Sequence, residues 1–206
     1  MRNWPLFALF LLLLSSACEK RLPVGVDNPR PYAVQVQIDT ATLQLEPYTF
    51  QILELAPGRH EVITHRGDQL LVRGDFMVSQ AGMVNATRSW YIRLRDIYFR
   101  PDVLKQAPAG KLDTLTIYMY DHPFTGDLKV FSDEDLFIPR EWNQQPHEAL
   151  PDPAAANIRR NPGYLLVSKL YRVEDFLKEY SEGLIPIDTA AYRAFFDSLH
   201  MTIPAN

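Results

Sequence analysis

Apolar and polar residues alternate strictly over residues 33–39, where Val34, Val36 and Ile38 share one face. Such alternation predicts a half-buried strand. Further short β-rich runs follow, separated by turn residues, at positions 48–55, 60–65, 69–72, 76–79, 83–86 and 89–94. Six or seven short strands at this spacing predict a β-sandwich over residues 32–99. Within it, Pro57 followed by Gly58 predicts a turn in which Gly58 has a positive φ.

The pattern over residues 100–206 predicts an α+β region. Strand-like runs occur at positions 114–120, 127–131, 136–138 and 165–170, whereas the Pro-, Asn- and Gln-rich residues 139–163 predict irregular structure. Apolar residues at helical spacing predict two short C-terminal helices, over residues 174–181 and 188–199. The expected fold class is therefore mainly β, or α+β, with an N-terminal sandwich of short antiparallel strands.

Residues 1–17 have the pattern of a signal peptide. Arg2 precedes the apolar run 6–14, and three small residues come next. The apolar run is too short to cross a bilayer, which takes about 20 residues. Cys18 follows directly and is the only cysteine, so the sequence excludes a disulfide framework within the chain.

This arrangement resembles the signal of bacterial lipoproteins, in which a peptidase cuts before a cysteine that is then acylated. The box has Ser15 where those signals usually have Leu, a looser form similar to that of Bacteroidota. The resemblance implies lipidation of Cys18 and a membrane as partner. Because neither Asp nor an acidic run follows Cys18, it implies an outer-membrane anchor with the body in the periplasm. The alternative is an ordinary secretory peptide that leaves a free terminal cysteine.

Residues 18–31 are expected to form a tether, because Pro23, Pro29, Pro31 and Gly25 discourage regular structure.

Two motifs within residues 32–94 resemble the PEGA-type β-sandwich repeat. V-x-I-D occurs at positions 36–39 and L-x-P-G-x-H-x-V at positions 55–62, although Thr40 replaces the usual glycine and the later Gly-Tyr is missing. The resemblance implies an extracytoplasmic, surface-associated protein. Residues 82–91 are also similar to small lipoproteins of Bacteroidota. Neither resemblance supplies a catalytic residue.

The 206 residues include 21 basic and 25 acidic side chains. A mildly acidic chain is not typical of a nucleic-acid-binding protein, which usually carries a basic face. The sequence indicates no cofactor and no metal site, since His60 and His65 lie five apart on a predicted strand rather than at helical spacing. We expect His60 to cap the turn before it.

Three further motifs have ordinary structural interpretations. The acidic residues Asp133, Glu134 and Asp135 suit a solvated turn better than a Ca²⁺ site. Asn85-Ala86-Thr87 matches a glycosylation sequon and is expected to be a turn. Asp121 with the acidic cluster would supply the carboxylates of an envelope-polymer hydrolase, the enzymatic alternative, but the sequence contains no recognisable catalytic motif.

Tyr91, Arg93 and Arg95 share one face of a predicted strand. Arginine forks bind carboxylates or phosphates in a bidentate manner, so this face is the candidate ligand-binding site for an anionic polymer. The alternative is a solvent-facing strand whose arginines pair with nearby acidic residues.

Together these features predict a non-enzymatic, lipid-anchored binding or scaffolding module of the cell envelope. Its expected partners are the membrane and an envelope protein or anionic polymer. A third hypothesis is an accessory subunit of an outer-membrane assembly.

Overall fold

The computed structural model describes residues 20–99, 115–119, 122–151 and 164–180. Three four-stranded sheets and one helix are formed by these residues, which confirms the mainly β fold class. The elements are β1 (Leu22–Asp27), β2 (Val34–Ile38), β3 (Ala41–Leu45), β4 (Phe50–Leu55), β5 (Gly58–Arg66), β6 (Gln69–Val78), β7 (Gly82–Val84), β8 (Tyr91–Phe99), β9 (Leu115–Met119), β10 (His122–Phe131), β11 (Phe137–Pro139), β12 (Tyr164–Arg172) and α1 (Val173–Tyr180).

The N-terminal sheet has the strand order β3-β2-β5-β6 and is antiparallel throughout. Its β2 strand follows the predicted alternation, since Val34, Val36 and Ile38 are buried and the two glutamines between them are exposed. Gly58, which begins β5, has φ +138°, so the predicted positive φ is confirmed.

The central sheet has the order β11-β7-β1-β4, in which β1 runs parallel to β7 and antiparallel to β4. The prediction of an irregular tether is therefore wrong over Leu22–Asp27. This strand is buried on both faces, so it lacks the alternation by which β2 was recognised. Its Gly25 lies beneath the ring of Phe50, where a β-carbon would clash.

Two hydrophobic cores flank the central sheet. Val24, Val26 and Val84 pack into the first core with residues of the N-terminal sheet, such as Val36 and Val62. The second core lies on the other side of the central sheet and contains Met83, Tyr91, Phe131, Ile138, Trp142 and Leu170. The central sheet is consequently the middle layer of three.

The C-terminal sheet has the order β12-β8-β10-β9. Its β8 strand pairs with β10 and β12, and β11 joins the central sheet. The predicted boundary at residue 99 therefore does not separate two bodies, because strands from both sides of it share sheets. Sequence alternation marks strands but carries no information on these pairings.

Helix α1 begins one residue before the predicted range 174–181 and ends one residue before its end, at Tyr180. Glu174 and Asp175 lie in its first turn and Lys178 in its last, an arrangement that the helix dipole favours. The rings of Phe176 and Tyr180, one turn apart, have centroids separated by 4.8 Å. The second predicted helix, over residues 188–199, lies outside the described residues.

Among the residues that the structure describes, no helix has the length and hydrophobicity needed to cross a membrane.

Candidate functional site

A fully buried carboxylate ends β1. Asp27 accepts hydrogen bonds from Arg172, at 2.9 Å from Nε to Oδ2 and 2.5 Å from Nη2 to Oδ1. The Tyr91 hydroxyl donates a third hydrogen bond to Oδ2, at 3.0 Å. Arg172 also donates to the Tyr48 carbonyl at 3.1 Å, so this guanidinium connects β12 to the central sheet and to the β3–β4 connection.

The environment of Tyr91 fixes its protonation state. Its burial and the adjacent Asp27 carboxylate both raise the pKa of the phenol well above its ordinary value. Tyr91 is therefore a neutral hydrogen-bond donor and does not offer the exposed ring that the sequence led us to expect.

The residues that follow Asp27 are also fixed. Asn28 is fully buried and donates to the carbonyls of Tyr32 and Glu46, at 2.8 and 3.0 Å. Its own side-chain oxygen accepts from the amide of Arg30. The second half of the predicted tether is thus an ordered connection between β1 and β2.

A second buried carboxylate, Asp127 on β10, lies beside the predicted anion-binding face. Arg93 Nη2 is 2.8 Å from Asp127 Oδ1, and Arg95 Nη2 is 2.5 Å from Oδ2. The side chain of Asp127 is 1% exposed, that of Arg93 8% and that of Arg95 26%. One buried carboxylate therefore forms ion pairs with both arginines.

Glu141 extends this network towards the surface. Its carboxylate is 3.6 Å from Arg93 and 2.8 Å from Lys129, which neighbours Arg93 across the β8–β10 pairing. A chain of alternating charges thus runs from Arg95 to Lys129. Within it, every carboxylate contacts two cations.

These contacts correct the predicted ligand-binding face. Tyr91, Arg93 and Arg95 do share one face of β8, but Tyr91 belongs to the second core and Arg93 is buried. The solvent-facing alternative is wrong for the same reason, although its expectation that the arginines pair with acidic residues is confirmed. The sequence could not show the inward orientation because both faces of β8 carry residues that are buried, including Ile92.

A third charged pair, His60 with Asp39, joins the two motifs of the PEGA resemblance. Nδ1 of His60 lies 2.6 Å from Asp39 Oδ2, and Nε2 lies 2.8 Å from the Ala56 carbonyl. The contact with Ala56 confirms that His60 caps the turn. Because both ring nitrogens face acceptors, the doubly protonated imidazolium satisfies both contacts.

The two groups shift each other's titration. Burial disfavours the imidazolium, but the hydrogen bonds to Asp39 and Ala56 outweigh burial and raise the pKa of His60. Burial also opposes the Asp39 carboxylate, yet hydrogen bonds from His60 and the Glu61 amide outweigh it and lower the pKa of Asp39. The ionised form of the pair is therefore favoured over a wider pH range than that of the two separate groups.

The other candidates have structural roles. Asp135 accepts from the Ser132 amide at 2.7 Å and forms the predicted turn, in which Glu134 is exposed. Asn85 is fully buried, and its side chain binds the backbone of Ser89, so the sequon lies within an internal turn. Asp121 and Cys18 lie outside the described residues. Within the described ranges, no group of three or more His, Cys, Asp or Glu side chains is arranged to hold a metal ion.

Comparison with models of known protein families and with curated proteins found no match to this chain. The lipoprotein and PEGA resemblances stay predictions.

Sequence reasoning missed Asp27, Asp127 and Arg172. The one signal that was present is an acidic residue at a position that precedes the apolar residues of a strand, such as Asp127 before Leu128 and Val130. Its partners lie 32 and 34 residues away for Asp127, and 145 residues away for Asp27. Only the strand register brings them together.

We expect Asp27→Asn to reduce the free energy of unfolding by about 3–5 kcal/mol, because it leaves the Arg172 charge buried without its anion. Asp75→Asn is the matched control, since Asp75 forms an exposed pair with Arg59 and its loss should barely change stability. Urea unfolding of both variants measures the difference. Equal losses would show that the buried pair is not a major constraint.

The double change Arg93→Gln with Arg95→Gln is expected to cost about 3–5 kcal/mol, because Asp127 then remains buried without a cation. Lys129→Gln, which removes an exposed partner of Glu141, should cost less than about 1 kcal/mol. Thermal and urea unfolding compare the two. An unchanged midpoint in the double variant would contradict the structural role given to these arginines.

Asp39→Asn tests the His60 pair, because Asn keeps an acceptor and tolerates the φ of +50° at this position. The pKa of His60 is raised in the folded protein, so the charged pair makes the wild type more stable than Asp39→Asn. This difference in the free energy of unfolding is fully present below the ordinary pKa of 6.5 and declines as pH rises through the raised pKa. The lowered pKa of Asp39 makes the advantage decline again as pH falls below 3.8. Denaturant titrations across pH measure this, and Asp75→Asn should show no decline above pH 6.5. A constant difference between wild type and Asp39→Asn would contradict the assignment.

Proposed function

We propose that this protein is a lipid-anchored binding or scaffolding module of the cell envelope, attached through Cys18 to the outer membrane with its body in the periplasm. The observation that carries the proposal is the start of β1 at Leu22, only four residues after Cys18. At about 3.3–3.6 Å per residue, four residues span at most about 14 Å. An acylated Cys18 would therefore hold the folded body against the membrane surface.

The strand that follows the anchor is among the most constrained in the molecule. β1 pairs with β4 along all six of its residues and with β7 along three. Its last residue, Asp27, is held by Arg172 and Tyr91. Because anchor and body are connected at this strand, the body would keep a limited range of orientations, which suits a scaffold better than a module that must reach a distant target.

The central sheet also offers an edge to a partner. β4 is the end strand of that sheet, and its Ile52 is 56% exposed. An extended segment of an envelope protein could add a strand at such an edge, where main-chain hydrogen bonds supply affinity and side-chain contacts supply specificity. This edge supports a protein partner, whereas the buried arginines do not support the anionic polymer.

The hydrolase alternative gains no support from the described carboxylates. Glu134 and Asp135 are exposed, and Asp135 serves the turn through Ser132. The accessory-subunit hypothesis is a special case of the scaffold and would use the same β4 edge.

The anchor is tested by metabolic palmitate labelling and membrane fractionation of the wild type and Cys18→Ala. Because Cys18 is the only cysteine, we expect the variant to lose all label and to move to the soluble fraction. Ser15→Ala is the control, since it leaves the cysteine and the small-residue character of the preceding segment intact. Equal labelling of wild type and Cys18→Ala would refute the anchor.

The partner edge is tested separately by crosslinking in intact cells. A charge placed outward on the edge, Ile52→Lys, should remove crosslinked partner proteins while the protein stays in the membrane. Leu70→Lys, a similarly exposed site on the N-terminal sheet, should leave them. Loss of partners in both variants, or in neither, would contradict the assignment of this edge.

A further inference from the structure

Four segments of the chain meet at the end of the body where β1 begins. Register places Leu22 beside Leu55, and Gly82 beside both Val24 and Pro139. The β4–β5 turn lies at the same end, because it follows directly on Leu55. The amide of Arg140 binds the Ala81 carbonyl at 2.9 Å, which holds the segment after β11 there as well.

Basic side chains are concentrated at this end. We call Lys20, Arg21, Arg59 and Arg140 the basic rim, and all four are exposed. Arg21 donates to the Glu54 carbonyl and Arg140 to the Trp142 carbonyl, so two of the four side chains are held by the backbone.

Few acidic groups offset the basic rim. Glu54 is on β4, and Asp75 pairs with Arg59 at 2.6 Å. Glu141, next to Arg140 in the chain, is engaged by Lys129 and Arg93. Glu19 precedes Lys20 in the sequence. With the Arg59–Asp75 pair and Glu141 set aside, Lys20, Arg21 and Arg140 stand against Glu19 and Glu54, an excess of one cation. Residues 18–206 as a whole hold 20 basic and 25 acidic side chains.

We propose that the basic rim is a membrane-contacting surface that binds anionic lipid headgroups. The proposal rests on the lipid anchor proposed above, since Cys18 lies at most about 14 Å of chain from Leu22. Lys20 and Arg21 follow Cys18 by two and three residues, at most about 7 and 11 Å of chain, which is comparable to the Debye length of about 8 Å at physiological salt. Cations so placed are attracted by an anionic surface, whereas the net negative charge of the whole chain is repelled by it.

The test uses the chain from Cys18 to Asn206, whose single thiol couples to a maleimide-headed lipid in vesicles. Vesicles contain phosphatidylcholine alone or mixed with phosphatidylglycerol, and each coupling rate is divided by that of free cysteine on the same vesicles. We expect the normalised rate to be several-fold higher on anionic vesicles and to lose this gain at high salt. A rate that is equal or lower on anionic vesicles would overturn the proposal.

Matched variants assign the effect to the rim. Arg59→Gln with Arg140→Gln should lose most of the gain, whereas Arg66→Gln with Arg73→Gln should keep it. The control variant also replaces two arginines by glutamine, so it removes the same amount of charge. Arg73, like Arg59, forms an exposed ion pair. Equal rates in the two double variants would show that the rim is not the contact surface.

A second measurement protects the test against misfolding of the rim variant. In the wild type coupled to anionic vesicles, hydrogen exchange should slow at residues 56–58 and 79–82 relative to neutral vesicles, and the β5–β6 turn at 67–68 should not change. Uniform protection, or none, would overturn the proposal. Because the coupling is chemical, these results do not depend on acylation in cells, so failure of palmitate labelling and failure of lipid preference are distinguishable.

Discussion

The ion pair between Asp27 and Arg172 connects the beginning of the described chain to its last strand. A buried carboxylate with a bidentate guanidinium is stable only while both partners remain in place, because either charge alone in the interior is costly. The pair therefore constrains how the central and C-terminal sheets pack, and Tyr91 completes it from β8. Asp127 applies the same principle within the C-terminal sheet, where two arginines share one carboxylate. These charged pairs connect particular strands to one another, and each is stable only when those strands are in place.

The parts of the fold that sequence alone predicted are those with a one-sided environment. β2 lies over one core and faces solvent on the other side, so its residues alternate. The Pro57-Gly58 turn and the capping by His60 are local, and both follow from the chemistry of neighbouring residues. Helix α1 was predicted from the spacing of Phe176, Leu177 and Tyr180 for the same reason.

The parts that could not be predicted depend on two-sided burial and long-range pairing. β1 contains Pro23 and Gly25, which suggest a linker, yet it is an inner strand of the central sheet. Arg93 and Arg95 have the sequence of a solvent-facing ligand site, yet their partner is an aspartate more than 30 residues away. Nothing in the local pattern distinguishes an arginine that faces water from one that faces a buried carboxylate.

The parallel pairing of β1 with β7 also constrains the order in which the chain can fold. β1 is synthesised first, but its partners β4 and β7 begin 28 and 60 residues later, and the cation for Asp27 comes last. Non-local contacts of this kind incur their loop-closure entropy before they contribute stability, so such topologies fold slowly. During synthesis, which starts at the N-terminus, β1 therefore lacks its partner strands at first, and Asp27 lacks its cation until residue 172 has been synthesised. If the chain is exported as proposed above, this delay would leave the native ion pair unformed until residue 172 has crossed the membrane.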